Sequence, residues 1–215
     1  MERFSVIAEL KTPIIFGGGY CTLDALLGSI LFEDLKDVDA AHAAIPIKCS
    51  DGLFHASAAI IEPFDTQPVS FVANLRADHA IHPDLLLKNK QGLTHRRMGR
   101  TRRRDYGAVL NKYKSISTHD VTWFAEGDLE KTRELLEDIS FIGKRRGSGF
   151  GEVKTWRFEP SSLDGLLDAF DAPVRPIPID RIKGDESWLK LDTAWRPAYW
   201  HPENRAICYA PEPLA

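Results

Sequence analysis

The 215-residue chain has 43% hydrophobic residues and a formal net charge of -3, a composition that supports a folded core and excludes a disordered polymer. No apolar run approaches the roughly 18 residues that a membrane helix requires, so we expect a cytoplasmic protein without membrane contact. Cys21, Cys49 and Cys208 are widely separated and form no Cys-x-x-Cys pair. They favour neither a disulfide framework nor a zinc site, and we expect no cofactor.

The first third of the chain predicts a strand, a helix and two more strands. In residues 4–10 every second side chain is apolar, which is the period of a strand with a buried face. Thr22 can cap a helix whose leucines and isoleucines recur at helical spacing, and we interpret Asp24 as a helix-dipole acid. Residues 54–61 and 69–75 then predict two strands, and the short connection between them would allow an antiparallel pair.

A basic segment follows at residues 88–114, where ten lysines or arginines accompany a single acid, Asp105. No core can be built from such a segment, and its simplest interpretation is a solvated loop. We favour a nucleic-acid contact, because crowded arginines repel one another without a polyanion and are suited to bidentate phosphate contacts. The six candidate contact residues here are Arg96, Arg97, Arg100, Arg102, Arg103 and Arg104.

The next segment predicts a strand, a second helix and another strand. Residues 121–125 alternate as in a strand, and Asp128 is a suitable N-cap for a helix that begins at Leu129. One face of this helix is apolar and the other is acidic, and Gly143 is expected to end it. Residues 153–158 predict the last strand.

A glycine-rich loop occupies residues 142–153. A Walker loop needs a preceding strand and a Gly-Lys-Ser/Thr ending, and a dinucleotide fingerprint needs Gly-x-Gly-x-x-Gly opening a helix, so both are excluded. The loop is then either a plain turn after a helix cap or a phosphate cradle, in which backbone amides face an anion and cations supply charge. The candidate contact residues are Lys144, Arg145, Arg146, Gly147, Ser148, Gly149, Phe150 and Gly151.

The C-terminal extension, residues 159–215, differs in composition from the rest. A short amphipathic helix is predicted over residues 163–170, after which prolines predict an irregular tail. The aromatic residues of this tail are too numerous for a disordered segment, so we expect them to pack on the domain, with a partner interface as the alternative. These aromatics are Trp188, Trp195, Tyr199, Trp200 and Tyr209.

Without the basic segment, the predicted elements run β-α-β-β-α-β over residues 1–158. This order is typical of a ferredoxin-like α+β domain, an antiparallel sheet with two helices on one face. We therefore predict a ferredoxin-like domain at residues 1–158, interrupted by a basic insertion at about 77–118 and followed by the C-terminal extension.

The position of a basic Gly-x-Gly-x-Gly loop between the second helix and the last strand resembles the RAMP superfamily of CRISPR-associated RNA-binding proteins. Together with the helix opening at residues 23–27 and the tail at residues 195–202, residues 142–151 resemble the small RAMP subunit of type IV CRISPR effector complexes. The resemblance runs from residue 3 to residue 202, with the basic insertion matched in character alone.

The resemblance implies a non-catalytic subunit that binds the 5′ handle of a guide RNA and caps a filament of backbone subunits, with a large subunit as a further partner. It also implies that the glycines of residues 147–151 lie against the RNA backbone while the cations of residues 144–146 contact phosphates. The insertion corresponds to a thumb that contacts RNA, neighbouring protein or target DNA, and these options stay open.

Two other functions stay open at this stage. The first is a metal-independent endoribonuclease that processes precursor guide RNA, because some RAMP proteins use histidine, tyrosine or lysine for proton transfer. The second is a generic RNA-binding adaptor. The candidate catalytic residues are His42, His55, His95, His119 and Tyr106, and no two of them have a spacing that guarantees a common site.

Overall fold

The computed structural model describes residues 1–73 and 109–214. The chain forms two compact units, Met1–Thr66 with Ser115–Ala215 and, separately, Gln67–Lys114. The architecture combines α-helices with antiparallel sheets and is of the α+β kind. In the described part of the chain, no helix has both the length and the apolar character needed to cross a membrane.

The described residues form helices and strands in both units. The helices are α1 (Leu23–Leu35), α2 (Val38–Ala43) and α3 (Leu129–Glu137). The strands are β1 (Glu2–Leu10), β2 (Cys49–Ser50), β3 (Leu53–Phe54), β4 (Ile60–Ile61), β5 (Asp65–Ala73), β6 (Val109–Ser117), β7 (Asp120–Gly127), β8 (Val153–Pro160), β9 (Ile177–Pro178), β10 (Lys190–Ala194) and β11 (Arg205–Tyr209).

The main sheet has the strand order β4-β7-β1-β8, and every neighbouring pair is antiparallel. Its buried face follows from the alternation in β1, where Phe4 and Val6 are fully buried and Val6 lies opposite Trp123 of β7. Leu27 of α1 and Leu136 of α3 belong to the same hydrophobic core. The strands predicted over residues 4–10, 121–125 and 153–158 are confirmed as β1, β7 and β8.

The two predicted strands between α1 and the basic segment are only partly correct. The strand predicted over residues 54–61 is observed as the two-residue strands β3 and β4, and Ala56 between them forms an isolated bridge with Ala125. The predicted pairing between residues 54–61 and 69–75 is wrong, because β4 pairs with β7 while β5 pairs with β6. Strand β6 was not predicted, because its lysines alternate with apolar side chains inside a segment interpreted as charged.

The first two predicted helices are confirmed as α1 and α3, and both begin at the predicted caps. The Thr22 hydroxyl accepts the Ala25 amide at 3.4 Å, and the Asp128 carboxylate accepts the Lys131 amide at 3.1 Å. The second helix ends at Glu137, six residues before the predicted stop, because the following backbone pairs with the far side of the glycine-rich loop.

The predicted helix at residues 163–170 is wrong. The Asp164 side chain accepts the Leu166 amide, and the Asp168 side chain accepts the amides of Phe170 and Ala172, at 2.8 to 2.9 Å. Such side-chain hydrogen bonds give the backbone an alternative to a helix. An apolar stripe at helical spacing therefore does not become a helix here.

The expectation of an irregular tail is also wrong. Strands β10, β11 and β9 form an antiparallel three-stranded sheet, which packs around the buried Trp195 and Cys208. The aromatics behave in two ways: Trp188 stacks edge-on against Tyr209 with ring centroids 5.3 Å apart, whereas Trp200 is 76% exposed. The tail therefore shares a small core with Leu53 of β3, whereas the Trp200 side chain is left in solvent.

Candidate nucleic-acid interface

The glycine-rich loop is closed by its own backbone. The Ile142 amide donates to the Gly151 carbonyl at 2.9 Å, and the Val153 amide donates to the Ser140 carbonyl at 2.8 Å. Between these bonds, Arg146–Ser148 forms a short 3-10 turn. The loop therefore has a defined shape that depends on contacts within the chain.

Packing against the segment after β1 explains the glycine at the end of the loop. The Lys144 amide donates to the Ile15 carbonyl at 2.7 Å, and the Gly151 amide donates to the Pro13 carbonyl at 2.9 Å. Gly151 has a φ of 72°, and a Cβ atom there would lie 2.0 Å from the Ile142 carbonyl oxygen. This position requires glycine whether or not a ligand binds.

Several backbone amides of the loop already donate hydrogen bonds within the chain. The Ser148 amide donates to the Arg145 carbonyl at 2.8 Å, and the Gly149 amide donates to the Arg146 carbonyl at 2.9 Å. Each backbone amide has one hydrogen to donate, so an amide that is already bonded has none left for an anion. Anion recognition at this loop would depend on its side chains and on the space beside its glycines.

The outer part of the loop is exposed and positively charged. Neither Lys144 nor Arg146 forms an ion pair with a described residue. A Cβ atom built on Gly147 or Gly149 would meet nothing within 4 Å. The exposed members are Lys144, Arg146, Gly147, Ser148 and Gly149, whereas Arg145 and Phe150 are half-buried.

A second glycine segment, residues 17–19, lies beside this loop. The Lys144 side chain covers Gly17, where an added Cβ atom would be 2.2 Å from the lysine Cε. A cleft of about 260 Å³ separates residues 17–19 and the start of α1 from the glycine-rich loop, with Tyr20, Phe141 and Arg146 in its lining. The sequence reading assigned these residues to a loop without a function, although three consecutive glycines in the connection between β1 and α1 were a usable signal.

Two tryptophans of the sheet position both glycine segments. Trp123 is fully buried, and its Nε1 donates to the Cys21 carbonyl at 2.9 Å, just after residues 17–19. Trp156 donates from Nε1 to the Ile139 carbonyl at 3.0 Å, just before the glycine-rich loop. The two rings have centroids 6.3 Å apart. The sheet therefore fixes the separation of the two segments.

Unlike the exposed cations of the loop, Lys48 and Arg3 form ion pairs with an acidic side chain. Lys48 and Arg3 bind Glu126 at 2.7 and 3.2 Å, and these two cations hold the pKa of that carboxyl below its usual value.

Within the cleft, burial and the nearby Asp24 raise the pKa of the Cys21 thiol to about 12. Cys21 is thus protonated at neutral pH and is not a thiolate nucleophile.

The described catalytic candidates have different surroundings. His42 is half-buried on α2, and His55 is buried beside Ser50, with 2.9 Å between Nε2 and Oγ. His119 is exposed and lies against Phe64, with ring centroids 4.8 Å apart. The candidates outside the described residues are His95 and Tyr106. So are the six arginines of the basic segment, Arg96, Arg97, Arg100, Arg102, Arg103 and Arg104.

A buried ion pair that sequence reasoning missed joins the C-terminal extension to α1. Arg175 and Asp24 are both fully buried, with 3.2 Å between Nη1 and Oδ1. Tyr199 accepts from Arg175 at 2.9 Å and donates to the second Asp24 oxygen. The first turn of α1 borders the cleft, so this network also supports one wall of the candidate interface.

Comparison with known proteins gives one assignment. No curated protein sequence matches the chain. The family model of CRISPR type IV associated protein Csf3 matches residues 80–211, which is more than half of the chain and includes the glycine-rich loop and Arg175. The chain therefore belongs to the Csf3 family of CRISPR type IV associated proteins.

Proposed function

We propose that this chain is a non-catalytic subunit that binds the guide RNA of a type IV CRISPR effector complex and holds the 5′ handle at the glycine-rich loop. The observation that carries the proposal is the exposed pair Lys144 and Arg146, which has no ion-pair partner among the described residues and lies beside open space at Gly147. Family membership supports the link to type IV CRISPR systems.

We also infer that residues 1–158, apart from the basic insertion at about 77–118, form a ferredoxin-like RAMP domain. Helix α1 lies between β1 and β4 in the chain, and α3 lies between β7 and β8. The sheet order β4-β7-β1-β8 corresponds to the order that a β-α-β-β-α-β chain adopts when each helix crosses over one strand. The shared core under α1 and α3 supports the same arrangement.

The protein partners of such a subunit are backbone and large subunits, with this chain capping the filament. The six arginines outside the described residues would contact guide RNA, a neighbouring subunit or target DNA beside the adjacent motif. Co-purification of the chain with guide RNA and these subunits would separate this role from that of a generic RNA-binding adaptor.

Phosphate binding explains why the exposed residues are cations and glycines. The side chains of Lys144 and Arg146 can replace counterions on a phosphate backbone. The affinity would therefore depend on salt concentration. A glycine without a close neighbour, such as Gly147, lets a sugar-phosphate backbone approach the main chain. Both features favour contact with the backbone over reading of bases.

Gly147→Leu tests contact at the loop without disturbing the fold. Its Cβ atom would meet nothing within 4 Å, and its φ is not positive, so we expect the free energy of unfolding to change by less than about 0.5 kcal/mol. The affinity for handle-containing RNA should fall about 10-fold, equivalent to roughly 1.4 kcal/mol, because the new side chain occupies the space proposed for the RNA backbone. Fluorescence anisotropy with labelled RNA measures this.

Ala169→Leu is the matched control, because it adds a similar side chain at an exposed position of the C-terminal extension. This control should bind RNA like the unchanged protein. Equal affinity of Gly147→Leu and the unchanged protein would show that the RNA does not approach Gly147.

Arg146→Ala tests phosphate contact directly. Removal of one phosphate contact should reduce the slope of log affinity against log salt by about 0.7 on single-stranded RNA, with similar losses for different RNA sequences. Lys131→Ala is the control, because Lys131 is an exposed cation on α3 that pairs with Asp128. Titrations between roughly 50 and 200 mM salt measure the slope.

Two results would contradict the proposal, one from these titrations and one from incubating the protein with RNA. An affinity that does not change with salt would exclude phosphate binding as the main interaction. A unique RNA cut that persists in chelator and disappears on replacement of a histidine would support the endoribonuclease instead.

A further inference from the structure

Three metal-ligating side chains from distant parts of the chain meet at one edge of the main sheet. They are His55 beside β3, Glu126 in β7 and Asp164 in the C-terminal extension. One potential ligand atom from each lies within 4.8 Å of the other two. Because the residues are separated by dozens of positions, no spacing pattern in the sequence could reveal the cluster.

His55 contributes a buried nitrogen without a hydrogen bond to this cluster. The residue is 8% exposed, and its Nδ1 has no hydrogen-bond partner among the described residues. The nearest Asp164 oxygen, Oδ2, is 3.5 Å from Nδ1, which is ion-pair distance but long for a hydrogen bond. A buried polar atom without a hydrogen bond is uncommon in proteins, and a bound ion is one explanation for it.

The other nitrogen of the imidazole is held by Ser50. His55 Nε2 and Ser50 Oγ are 2.9 Å apart. In the tautomer whose Nε2 donates to this hydroxyl, Nδ1 carries a lone pair towards the Asp164 carboxylate, and a cation between them would remove their repulsion. In the other tautomer a proton occupies that position, and a metal ion would replace it. A hydrogen bond on the distal nitrogen is also the usual support for a metal-binding histidine.

Glu126 has competing partners, which sets a condition on the site. Its two carboxylate oxygens accept from Lys48 at 2.7 Å and from Arg3 at 3.2 Å. The Lys48 side chain is 36% exposed and can turn into solvent. A metal ion would then replace the lysine charge at Oε1, while Arg3 keeps its bond to Oε2.

We propose that His55, Asp164 and Glu126 bind a divalent transition-metal ion, with Zn²⁺ the best fit to one imidazole nitrogen and two carboxylates. Zn²⁺ accepts mixed nitrogen and oxygen ligands in tetrahedral geometry, and water would fill the fourth position. The proposal does not depend on RNA binding, since none of these residues belongs to the glycine-rich loop or the cleft.

The site would fasten the C-terminal extension to the sheet. Gly165, next to Asp164, already packs so closely that an added Cβ atom would lie 2.4 Å from the Phe124 carbonyl oxygen. A metal ion bound by Asp164 would link this contact to β7 through Glu126 and to the β2-β3 hairpin through His55. Its effect would be on stability, not on chemistry.

The test is a zinc titration of the full-length protein after removal of metals with a chelator and dialysis. Calorimetry should give one Zn²⁺ per chain, and zinc should raise the midpoint of thermal unfolding. Asp164→Asn should lower zinc affinity more than about 100-fold, beyond the range for a residue that only supports a ligand, and Ser50→Ala should lower it about 10- to 100-fold. His119→Gln, which removes an exposed histidine elsewhere, should bind zinc normally.

Asp164 is the decisive position because its side chain is 26% exposed and the Asn variant keeps the side-chain oxygen that accepts the Leu166 amide. Circular dichroism of that variant verifies folding. Unchanged zinc affinity in Asp164→Asn would overturn the proposal. So would zinc binding that is lost in Cys49→Ser, because Cys49 is an exposed thiol next to Ser50.

Discussion

Arg175→Met should lower the free energy of unfolding by about 3–5 kcal/mol, the range for removing one partner of a buried ion pair. Arg175 Nη1 donates to Asp24 and to the carbonyls of Phe54 and Ala56, and Nη2 donates to the Trp195 carbonyl. Methionine fills a similar volume but donates to none of these acceptors. The Asp24 carboxylate would then be buried without a countercharge. Urea unfolding measures the loss.

Two further variants separate the buried pair from a general effect of losing arginine. Arg205→Met removes a 47%-exposed arginine that pairs with Asp192, and should change stability by about 1 kcal/mol or less. The double variant Asp24→Leu with Arg175→Met should recover part of the loss, because no buried charge is left unpaired. A loss below about 1 kcal/mol for Arg175→Met alone would mean that water reaches Asp24.

Gly151→Ala should destabilise the protein by about 2–4 kcal/mol, through a left-handed backbone angle and a steric overlap. The φ of 72° is unfavourable for alanine, and the new Cβ atom would lie 2.0 Å from a backbone carbonyl oxygen. That oxygen belongs to Ile142, whose amide makes the hydrogen bond that closes the loop, so a shift of Ile142 away from the new methyl group should weaken this bond. We expect a lower urea midpoint and weaker RNA binding together.

Gly147→Ala is the matched control within the same loop. It adds the same methyl group where no atom lies within 4 Å, so its unfolding midpoint should stay unchanged. Equal midpoints for Gly151→Ala and Gly147→Ala would show that the loop relaxes freely, and would remove the packing explanation for Gly151.

Local signals in the sequence predicted the elements with their own caps and periodicity. Thr22 and Asp128 cap α1 and α3 as expected, because capping depends on residues three positions apart. Alternating apolar residues likewise predicted strands β1 and β7, since every second side chain, on one face of each strand, is buried.

Contacts between distant residues could not be read in this way. The pairing of β4 with β7 joins Ile60 to Thr122, across the whole basic segment. Residues 163–170 have helical periodicity but form no helix, because the side chains of Asp164 and Asp168 accept hydrogen bonds from nearby amides. In the candidate interface, composition alone draws attention to the cations and glycines of the loop, whereas residues 17–19 come next to them only through the fold.

The ion pair between Asp24 and Arg175 also sets an order for folding during synthesis. The two residues are 151 positions apart. At roughly 5–20 residues per second, Asp24 leaves the ribosome about 8–30 s before its partner. During that interval α1 carries a carboxylate that cannot be buried without cost, so its N-terminal end must stay hydrated. The last quarter of the chain is thus the part that allows the first helix to close onto the sheet.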